Sequence, residues 1–338
     1  MTIRTSDSGL ASDSGLASQG SAADVIGRTE SAPRPASVTR PTGRHPSSGV
    51  TRIAWMFLAP FALFYVLFLI WPVIYMAISS FFNTTLLRTG LGSFAGLGNY
   101  AEMLSKSEFW VSLWNTLLFT LYTVPPLVVL AFVLAVLANR VKRGQWFFRL
   151  AFFVPFILPS ATIALIWNFI FTPSTGLWNS FQSWLGVQQP QAVLGTPGLA
   201  MVGIAITTVW WTIGFNFVLY LAGLQDIPRE IYEAAAVDGA SQWQQIRSIT
   251  IPMLAPTTGL IVLLQIIASL KIFDQVYLMT GGGPGLSTQV LLGLVTNTAF
   301  TDYRVGAASA ASVLLFIVIL FVTLIRQGVA HVQSRRAA

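Results

Sequence analysis

Long apolar segments, separated by short polar or charged connections, occupy most of the chain from about residue 53. A helix needs about 20 consecutive apolar residues to cross the hydrocarbon core of a bilayer. No charged residue lies between Leu150 and Gln225, and a polar patch at 172–197 divides that interval into two segments. The pattern predicts six membrane-spanning helices, at about residues 53–80, 111–138, 150–171, 198–222, 253–277 and 305–325.

Two features modify this simple pattern. Residues 286–300 are apolar but too few to cross a bilayer, and they follow a glycine-rich turn at 281–285. We therefore predict an interfacial or re-entrant helix there. Proline pairs predict kinks in the second and third spans, because proline lacks the amide that a helix interior needs; these are Pro125 and Pro126, then Pro155 and Pro159. The predicted fold class is an all-α polytopic membrane protein.

The composition supports a membrane protein and gives little sign of an enzyme. Apolar residues make up 54% of the chain and charged residues only 9%, against about 25% charged in a typical soluble domain. Cysteine is absent, and His45 and His331 both lie in polar tails. Neither a phosphate-binding glycine loop nor a zinc-protease motif occurs. We therefore predict a transport subunit with no catalytic residue, no metal site and no cofactor.

The positive charges are distributed unevenly between the two predicted sides of the membrane. Cytoplasmic loops of membrane proteins carry an excess of Lys and Arg. Fifteen of the nineteen basic residues fall on the side that holds both termini, whereas only Arg88, Lys106 and Arg304 fall on the other. Both termini are therefore predicted to be cytoplasmic. Topology also accounts for the net charge of +7, so we predict no nucleic-acid partner.

Residues 1–50 differ in composition from the rest of the chain. They are rich in Ser, Gly, Ala, Pro and Arg, contain a tandem SDSGLA repeat at 6–17, and lack the apolar run of a signal peptide. Such a segment cannot bury a core. We predict a disordered cytoplasmic extension at 1–50, a membrane domain at 51–330 and a short cytoplasmic tail at 331–338.

The 224–256 loop, on the predicted cytoplasmic side, has the pattern of two short helices joined by a turn. Asp226 is predicted to cap the first helix, and Gly239 can adopt the positive φ that often ends one. Ser241 and Gln244 fit a capping box for the second helix, which Pro252 is predicted to end. A compact helical pair of this kind suits docking to a partner better than a plain solvated loop does, although packing on its own membrane domain is the alternative.

Within that loop, the run EAAAVDGASQWQQIRSITIPMLAP at 233–256 resembles the EAA motif of permeases of binding-protein-dependent ABC importers. The residues that carry the resemblance are Glu233, Ala234, Ala235, Asp238, Gly239, Ala240, Ile249 and Pro252. The landmarks at 94–104, 114–120 and 273–284 are similar to the carbohydrate branch, which includes maltose and glycerol-3-phosphate systems. The resemblance implies a type I importer permease with a MetI-like fold of six transmembrane helices and a cytoplasmic coupling helix. Glu233 would contact the ATPase, and Gly239 would form the turn.

The resemblance also implies the partners and the process. They are a second permease subunit, a dimer of ABC ATPases, an extracytoplasmic solute-binding protein and membrane lipid, all at the bacterial cytoplasmic membrane. The expected function is import of a sugar or oligosaccharide driven by ATP hydrolysis in the separate ATPase. Alternatives are a permease for a non-sugar solute, such as glycerol phosphate or a polyamine, and a secondary carrier. A secondary carrier would require ion-coupling carboxylates within its spans, and only Asp274 qualifies.

Polar side chains within spans usually face a cavity or a partner helix, because exposure to lipid is costly. Two groups of them share helix faces in the fourth and fifth spans. Together they form the predicted substrate pathway: Thr208, Trp211, Thr212, Phe215, Asn216, Gln265, Ser269, Lys271 and Asp274. Neutral hydrogen-bonding groups beside aromatic rings suit a sugar, and Lys271 and Asp274 are predicted to pair. Interhelical hydrogen bonding is the alternative role for any one of these residues.

Overall fold

The computed structural model describes residues 48–141, 144–188 and 191–337, so most of the predicted N-terminal extension lies outside the described residues. The chain divides into one compact unit that ends at Ala59 and a second that begins at Pro60. Everything described below concerns the second unit, apart from the bounds of the first helix.

Fifteen α-helices and three π-helical segments make up the regular structure of the described residues. The α-helices are α1 Ser48–Tyr65, α2 Trp71–Ser79, α3 Gly98–Ser105, α4 Ser107–Asn139, α5 Gln145–Ile157, α6 Ser160–Phe171, α7 Leu177–Trp184, α8 Leu199–Gln225, α9 Arg229–Val237, α10 Gln242–Gln245, α11 Ile251–Met253, α12 Ala255–Leu270, α13 Asp274–Thr280, α14 Leu291–Thr296 and α15 Val305–Ala337. The π-helical segments are Val66–Ile70, Ile246–Thr250 and Asn297–Thr301.

Within the part of the chain that the structure describes, up to six helical segments can cross a membrane by length and composition. Four are single segments, at Trp55–Ser79, Ser107–Asn139, Leu199–Gln225 and Val305–Gly328. Two more are bent pairs: α5 with α6, at 96°, and the helices on either side of Leu254, at 63°. The all-α polytopic fold predicted from the sequence is therefore confirmed.

The bend between α5 and α6 follows from the predicted proline kink. A residue that precedes proline is forced out of the helical region, and Leu158 adopts an extended conformation with ψ of 142°. Pro159 then caps the N-terminus of α6. The kink expected in the second span does not break its helix. Pro125 and Pro126 lie inside α4, which continues without interruption.

The fifth span is shorter than predicted. We expected it to reach residue 277, but α12 ends at Leu270 and a separate helix, α13, begins at Asp274. The expected short helix at 286–300 also begins later, at Leu291, and continues as a π-helical segment to Thr301. These differences leave Lys271, Ser287, Thr288 and Gln289 outside the helices, whereas Asp274 and Gln275 lie in α13.

Helix α8 forms the centre of the described bundle and packs against α4, α5 and α12. Its residues Phe217, Tyr220 and Leu221 are almost completely buried, in a cluster that also contains alanines of α4. Gly214 allows α5 to approach unusually closely, because a Cβ atom at this position would lie 1.9 Å from the carbonyl oxygen of Phe152. This close packing fixes the position of α5 beside the predicted substrate pathway.

Polar side chains hold two segments at the end of the bundle away from the 224–256 loop. These segments are the loop before α14 and helix α3. Asn115 on α4 donates to the carbonyl oxygens of Leu286 and Gln289, at 2.8 and 3.0 Å, and so fixes the loop before α14. Glu102 on α3 accepts a hydrogen bond of 2.6 Å from the Arg304 guanidinium. This bond, together with one from Lys106, lowers the pKa of Glu102 from 4.5 to about 2.

Candidate functional site

The 224–256 loop forms the predicted helix–turn–helix, with one wrong cap. The N-cap of α9 is Pro228, and Asp226 instead ends α8 as its C-cap residue. Gly239 has a φ of +81°, as its predicted role in the turn requires. The capping box is also confirmed: the Ser241 amide donates to Gln244 Oε1 at 2.7 Å, and the Gln244 amide donates to Ser241 Oγ at 3.3 Å.

The second helix of the loop does not end where proline was expected to end it. It runs from α10 through a π-helical segment into α11, and Pro252 lies inside α11. The break comes at Leu254, whose backbone leaves the helical region with ψ of 0°. Pro252 directly follows the π-helical segment and lies within this continuous helix.

Three contacts hold the 224–256 loop in place, two to the bundle and one between the two helices of the loop. Ile227 is buried in the cluster that surrounds α8. The Tyr232 hydroxyl lies 3.0 Å from the Thr250 hydroxyl, which joins α9 to the second helix. The Arg140 guanidinium, at the end of α4, donates to Gln242 Oε1 at 2.8 Å. The loop is therefore tied both to itself and to the ends of two spans.

The face between these anchors projects from the bundle. Val237 is 88% exposed and Trp243 is 67% exposed, which is unusual for apolar side chains unless a partner covers them. The residues that carry the EAA resemblance fall into two groups: Glu233, Ala234, Asp238, Gly239 and Pro252 are exposed, whereas Ala235, Ala240 and Ile249 are half-buried. The structure thus presents an exposed knob, residues 233–243, which carries the charges of Glu233 and Asp238 beside apolar side chains and stands on an anchored base.

A cavity of about 260 Å³ lies among α4, α8, α12 and α13; we call it the polar cavity after the polar side chains in its wall, although more of that wall is apolar than polar. Seven of the nine residues of the predicted substrate pathway line it: Thr208, Trp211, Thr212, Gln265, Ser269, Lys271 and Asp274. The other two lie behind the wall. Asn216 is fully buried and accepts a hydrogen bond of 2.9 Å from the Gln265 amide, and Phe215 stacks on Phe156 with ring centroids 5.1 Å apart.

Polar side chains in the wall of the cavity also bond to the protein itself. Thr208 and Thr212 donate to the carbonyl oxygens four residues earlier in α8, at 2.9 and 2.8 Å. Ser269 donates to Thr120 Oγ1 at 3.0 Å. The indole nitrogen of Trp211 donates to the carbonyl oxygen of Leu158, at 3.2 Å, where α5 and α6 separate. These bonds fix the positions of the side chains that a ligand would meet.

The predicted pair of Lys271 and Asp274 does not form. Among the described residues, both ion pairs involve Glu102, and Asp274 instead accepts a hydrogen bond of 2.9 Å from Ser160. The reason is the end of α12 at Leu270: Lys271 is its C-cap residue, and Asp274 begins the next helix. Both side chains are exposed at the rim of the cavity.

Comparison with protein families assigns the chain. Residues 88–337 match the family described as the inner membrane component of binding-protein-dependent transport systems. The chain belongs to this family. The match includes the 224–256 loop and every residue that lines the polar cavity.

Curated relatives of this permease include sugar transport systems. The sulfoquinovosyl glycerol transport permease SmoG of Agrobacterium fabrum is 36% identical over 80% of this chain and 88% of its own length. The trehalose/maltose transport permease MalF of Thermococcus litoralis is 39% identical over 69% of this chain and 78% of its own length. The multiple sugar-binding transport permease MsmF of Streptococcus mutans is 34% identical over 80% and 93%.

Solved structures support the same fold for the permease. A bacterial ABC transporter that imports the acidic polysaccharide alginate matches with a TM-score of 0.73 and 22% identity, over 84% of this chain and 96% of that one. A second structure of an alginate transporter, in complex with an alginate pentasaccharide-bound periplasmic protein, matches with a TM-score of 0.74 over 86% and 96%.

Sequence reasoning missed several residues that line the cavity of the permease. Thr123 and Phe119 lie on α4, which no polar cluster had marked as part of the pathway, and Gln275 and Phe273 lie where α13 begins. Gln275 is 97% buried from solvent, at 3% exposure, in a stretch that the sequence placed at the end of a span. A polar residue inside an apolar run was the available signal, and it pointed to Gln275 as strongly as to Gln265.

Proposed function

We propose that the chain is a permease subunit of an ATP-binding-cassette importer that carries a sugar or oligosaccharide into the cytoplasm. The observation that carries the proposal is the polar cavity. Its wall combines hydroxyl and amide groups with the ring of Trp211, and its two charges, Lys271 and Asp274, are opposite in sign. Sugars need hydrogen-bonding groups for their hydroxyls and apolar planes for their C–H faces. The sugar transport functions of the curated relatives support the same class of substrate.

The volume of the cavity is consistent with one half of a substrate pathway. Its volume of about 260 Å³ lies just below the range of roughly 300–1,000 Å³ of small-molecule pockets. A second permease subunit, facing this one, would complete the pathway. Substrate would arrive from an extracytoplasmic solute-binding protein, as suggested by the periplasmic protein bound to the alginate transporter.

The 224–256 loop is proposed as the connection to a separate ATPase dimer. Its knob exposes Val237 and Trp243, while Tyr232 and Arg140 tie its base to the loop's second helix and to the end of α4. A partner that moves the knob therefore moves the ends of the spans as a rigid body. Closure of the ATPases would move the loop and open the pathway to the outside. In this proposal the loop and both termini lie in the cytoplasm, where the ATPase binds the loop.

A proline substitution at the turn of the knob tests this connection. Gly239→Pro is incompatible with the observed φ of +81°, because proline fixes φ near about −65°. We expect loss of ATP-driven uptake with normal membrane insertion, measured in right-side-out vesicles that contain the whole transporter. Gly239→Asn is the matched control, since asparagine tolerates positive φ. Normal uptake by the proline variant would refute the connection.

A second experiment tests the cavity. Thr212→Ala combined with Gln265→Ala should raise the KM of uptake roughly thirtyfold, since each hydrogen bond contributes about 1 kcal/mol and about 1.4 kcal/mol is tenfold. Thr207→Ala is the matched control, because Thr207 makes the same bond to the preceding turn but is buried outside the cavity. An unchanged KM with normal subunit assembly would place the substrate elsewhere.

The class of substrate is tested on the partner that delivers it. Thermal-shift screening of the purified solute-binding protein should find stabilisation by a sugar. Stabilisation by glycerol phosphate or a polyamine, with none by any sugar, would reject the substrate class while leaving the importer mechanism intact. Uptake driven by an ion gradient in the absence of any ATPase would reject the importer itself.

A further inference from the structure

A basic pocket of about 1010 Å³ lies beside the 224–256 loop, separate from the polar cavity. The ends of α4 and α8, the start of α5 and the loop itself line it, so it lies where three membrane-crossing segments end. Such positions meet the polar headgroups of a bilayer. Arg140 and Arg229 both line the pocket, and no carboxylate does.

The two guanidinium charges of the basic pocket are not neutralised within the described structure. Arg140 donates to the neutral Gln242 amide, and both ion pairs among the described residues involve Glu102, which lies in α3. A third cation stands at the edge of the pocket, because Arg149 donates to Gln145, one of the lining residues, at 3.3 Å. The pocket is therefore complementary to an anion, and a planar guanidinium pair is well suited to phosphate.

An apolar groove of about 780 Å³ lies farther along the same three helices. Residues of α4, α5 and α8 line it, among them Leu130, Phe152 and Ile213, and no charged side chain is included. The groove lies within the membrane-crossing part of all three helices. Its chemistry suits a hydrocarbon chain.

The groove and the basic pocket share one face of α4. Pro126, Leu130, Val133, Leu137 and Arg140 follow each other at spacings of three or four residues, which places them on one stripe of the helix. Pro126 and Leu130 line the groove, and Arg140 lines the pocket. The residues between are exposed: Val133 by 43% and Leu137 by 56%. The stripe therefore leads from the apolar groove directly to the guanidinium.

We propose that this face binds an anionic phospholipid. The headgroup phosphate lies against Arg140 and Arg229 in the basic pocket, and an acyl chain lies along the stripe into the apolar groove. Basic pockets at the ends of transmembrane helices are typical sites for anionic headgroups. A free phosphate ion would explain only the pocket, and a helix of another subunit would explain only the groove. Because Tyr232 and Gln242 of the 224–256 loop also line the pocket, the lipid joins that loop to the spans.

Native mass spectrometry of the full chain in detergent tests this proposal, with phosphatidylglycerol and phosphatidylcholine as probes. We expect selective binding of phosphatidylglycerol. The double variant Arg140→Gln, Arg229→Gln should bind it roughly thirty-fold more weakly, since each basic residue near the headgroup contributes about 1 kcal/mol and about 1.4 kcal/mol is tenfold. Replacing both residues with Lys should retain most of the binding. Arg247→Gln is the control for loss of one positive charge elsewhere on the chain, because Arg247 is exposed outside the pocket.

A groove variant tests the acyl chain independently. Ala151→Trp fills the groove that Ala151 lines and should weaken phosphatidylglycerol binding, whereas Ala222→Trp, on an exposed part of α8 outside the groove, should not. Equal binding of the two lipids, or binding unaffected by the double arginine variant, would overturn the proposal. So would full competition by soluble glycerol phosphate, which would indicate a free-anion site. Cross-links from Ala151→Cys to a second permease subunit would assign the groove to a protein partner instead.

Discussion

Adding a single methyl group at Gly214 should separate α5 from α8. A Cβ atom at this position would lie 1.9 Å from the carbonyl oxygen and 2.5 Å from the carbonyl carbon of Phe152. Both obstructing atoms belong to the backbone, so no rotation of a side chain can relieve the clash. Ordinary contact begins at 3.4 Å, and α5 must therefore retreat by about 1.5 Å along that line.

The size of the effect follows from two opposing contributions. Overpacking of a tight core costs roughly 1–3 kcal/mol, while replacing glycine with alanine inside a helix returns about 1 kcal/mol. Because the clash is with backbone, we place the cost at the upper end and expect Gly214→Ala to lose about 2 kcal/mol of stability. The retreat also moves Phe156 away from its stacking partner Phe215 and Leu158 away from the Trp211 indole, so the cavity wall loosens.

Thermal unfolding of the purified chain in detergent, followed by circular dichroism, measures this loss. Gly293→Ala is the matched control, because it lies in a helix and its Cβ would meet the nearest atom at an ordinary 3.7 Å. The control should melt at or above the temperature of the wild type. If Gly214→Ala melts with the control, the close approach of the two helices is not a feature of the protein and the reasoning fails.

Two further predictions concern the other end of the bundle. Glu102→Gln should reduce the loss of stability on acidification. Because the pKa of Glu102 is lowered from 4.5 to about 2, its carboxylate stabilises the fold above pH 4.5, and this contribution is lost as the pH falls from 4.5 toward 2. The pair is partly exposed, so the difference between variant and wild type should stay within about 1 kcal/mol, and identical acid-unfolding curves would contradict it. Asn115→Leu should cost about 1–3 kcal/mol, because it leaves the carbonyl oxygens of Leu286 and Gln289 without their donor; unchanged hydrogen exchange in the loop before α14 would show that the bonds do not hold it.

The spans could be predicted from the sequence because lipid imposes their length and excludes their charges. The bend before Pro159 could also be predicted, because proline restricts the backbone of the residue that precedes it. Local capping chemistry was equally informative: the reciprocal bonds of Ser241 and Gln244 depend only on residues three apart. Likewise, Thr208 and Thr212 lie four residues apart on one helix, so their shared face followed from spacing alone.

Predictions from residue spacing failed where a helix ended earlier than expected. The expected pair of Lys271 and Asp274 assumed that α12 continued past residue 270, and its early end sent the two side chains apart. Contacts between distant segments were also beyond reach. Arg140 and Gln242 are separated by 102 residues and meet only because the ends of α4 and the 224–256 loop pack together. The basic pocket and its link to the apolar groove depend on that packing.

The direction of the hydrogen bonds in the polar cavity has a consequence for ligand chemistry. Each of its four hydroxyl side chains already donates its proton to a protein oxygen; they are Thr123, Thr208, Thr212 and Ser269. Toward a ligand, these oxygens offer lone pairs only. A polyol with free O–H groups can donate hydrogen bonds to them, whereas its methyl ether, which has lost the O–H donor and is larger by a methyl group, cannot. Methylating the hydroxyl groups of a ligand one at a time would therefore show which of them donate to the side chains of this wall.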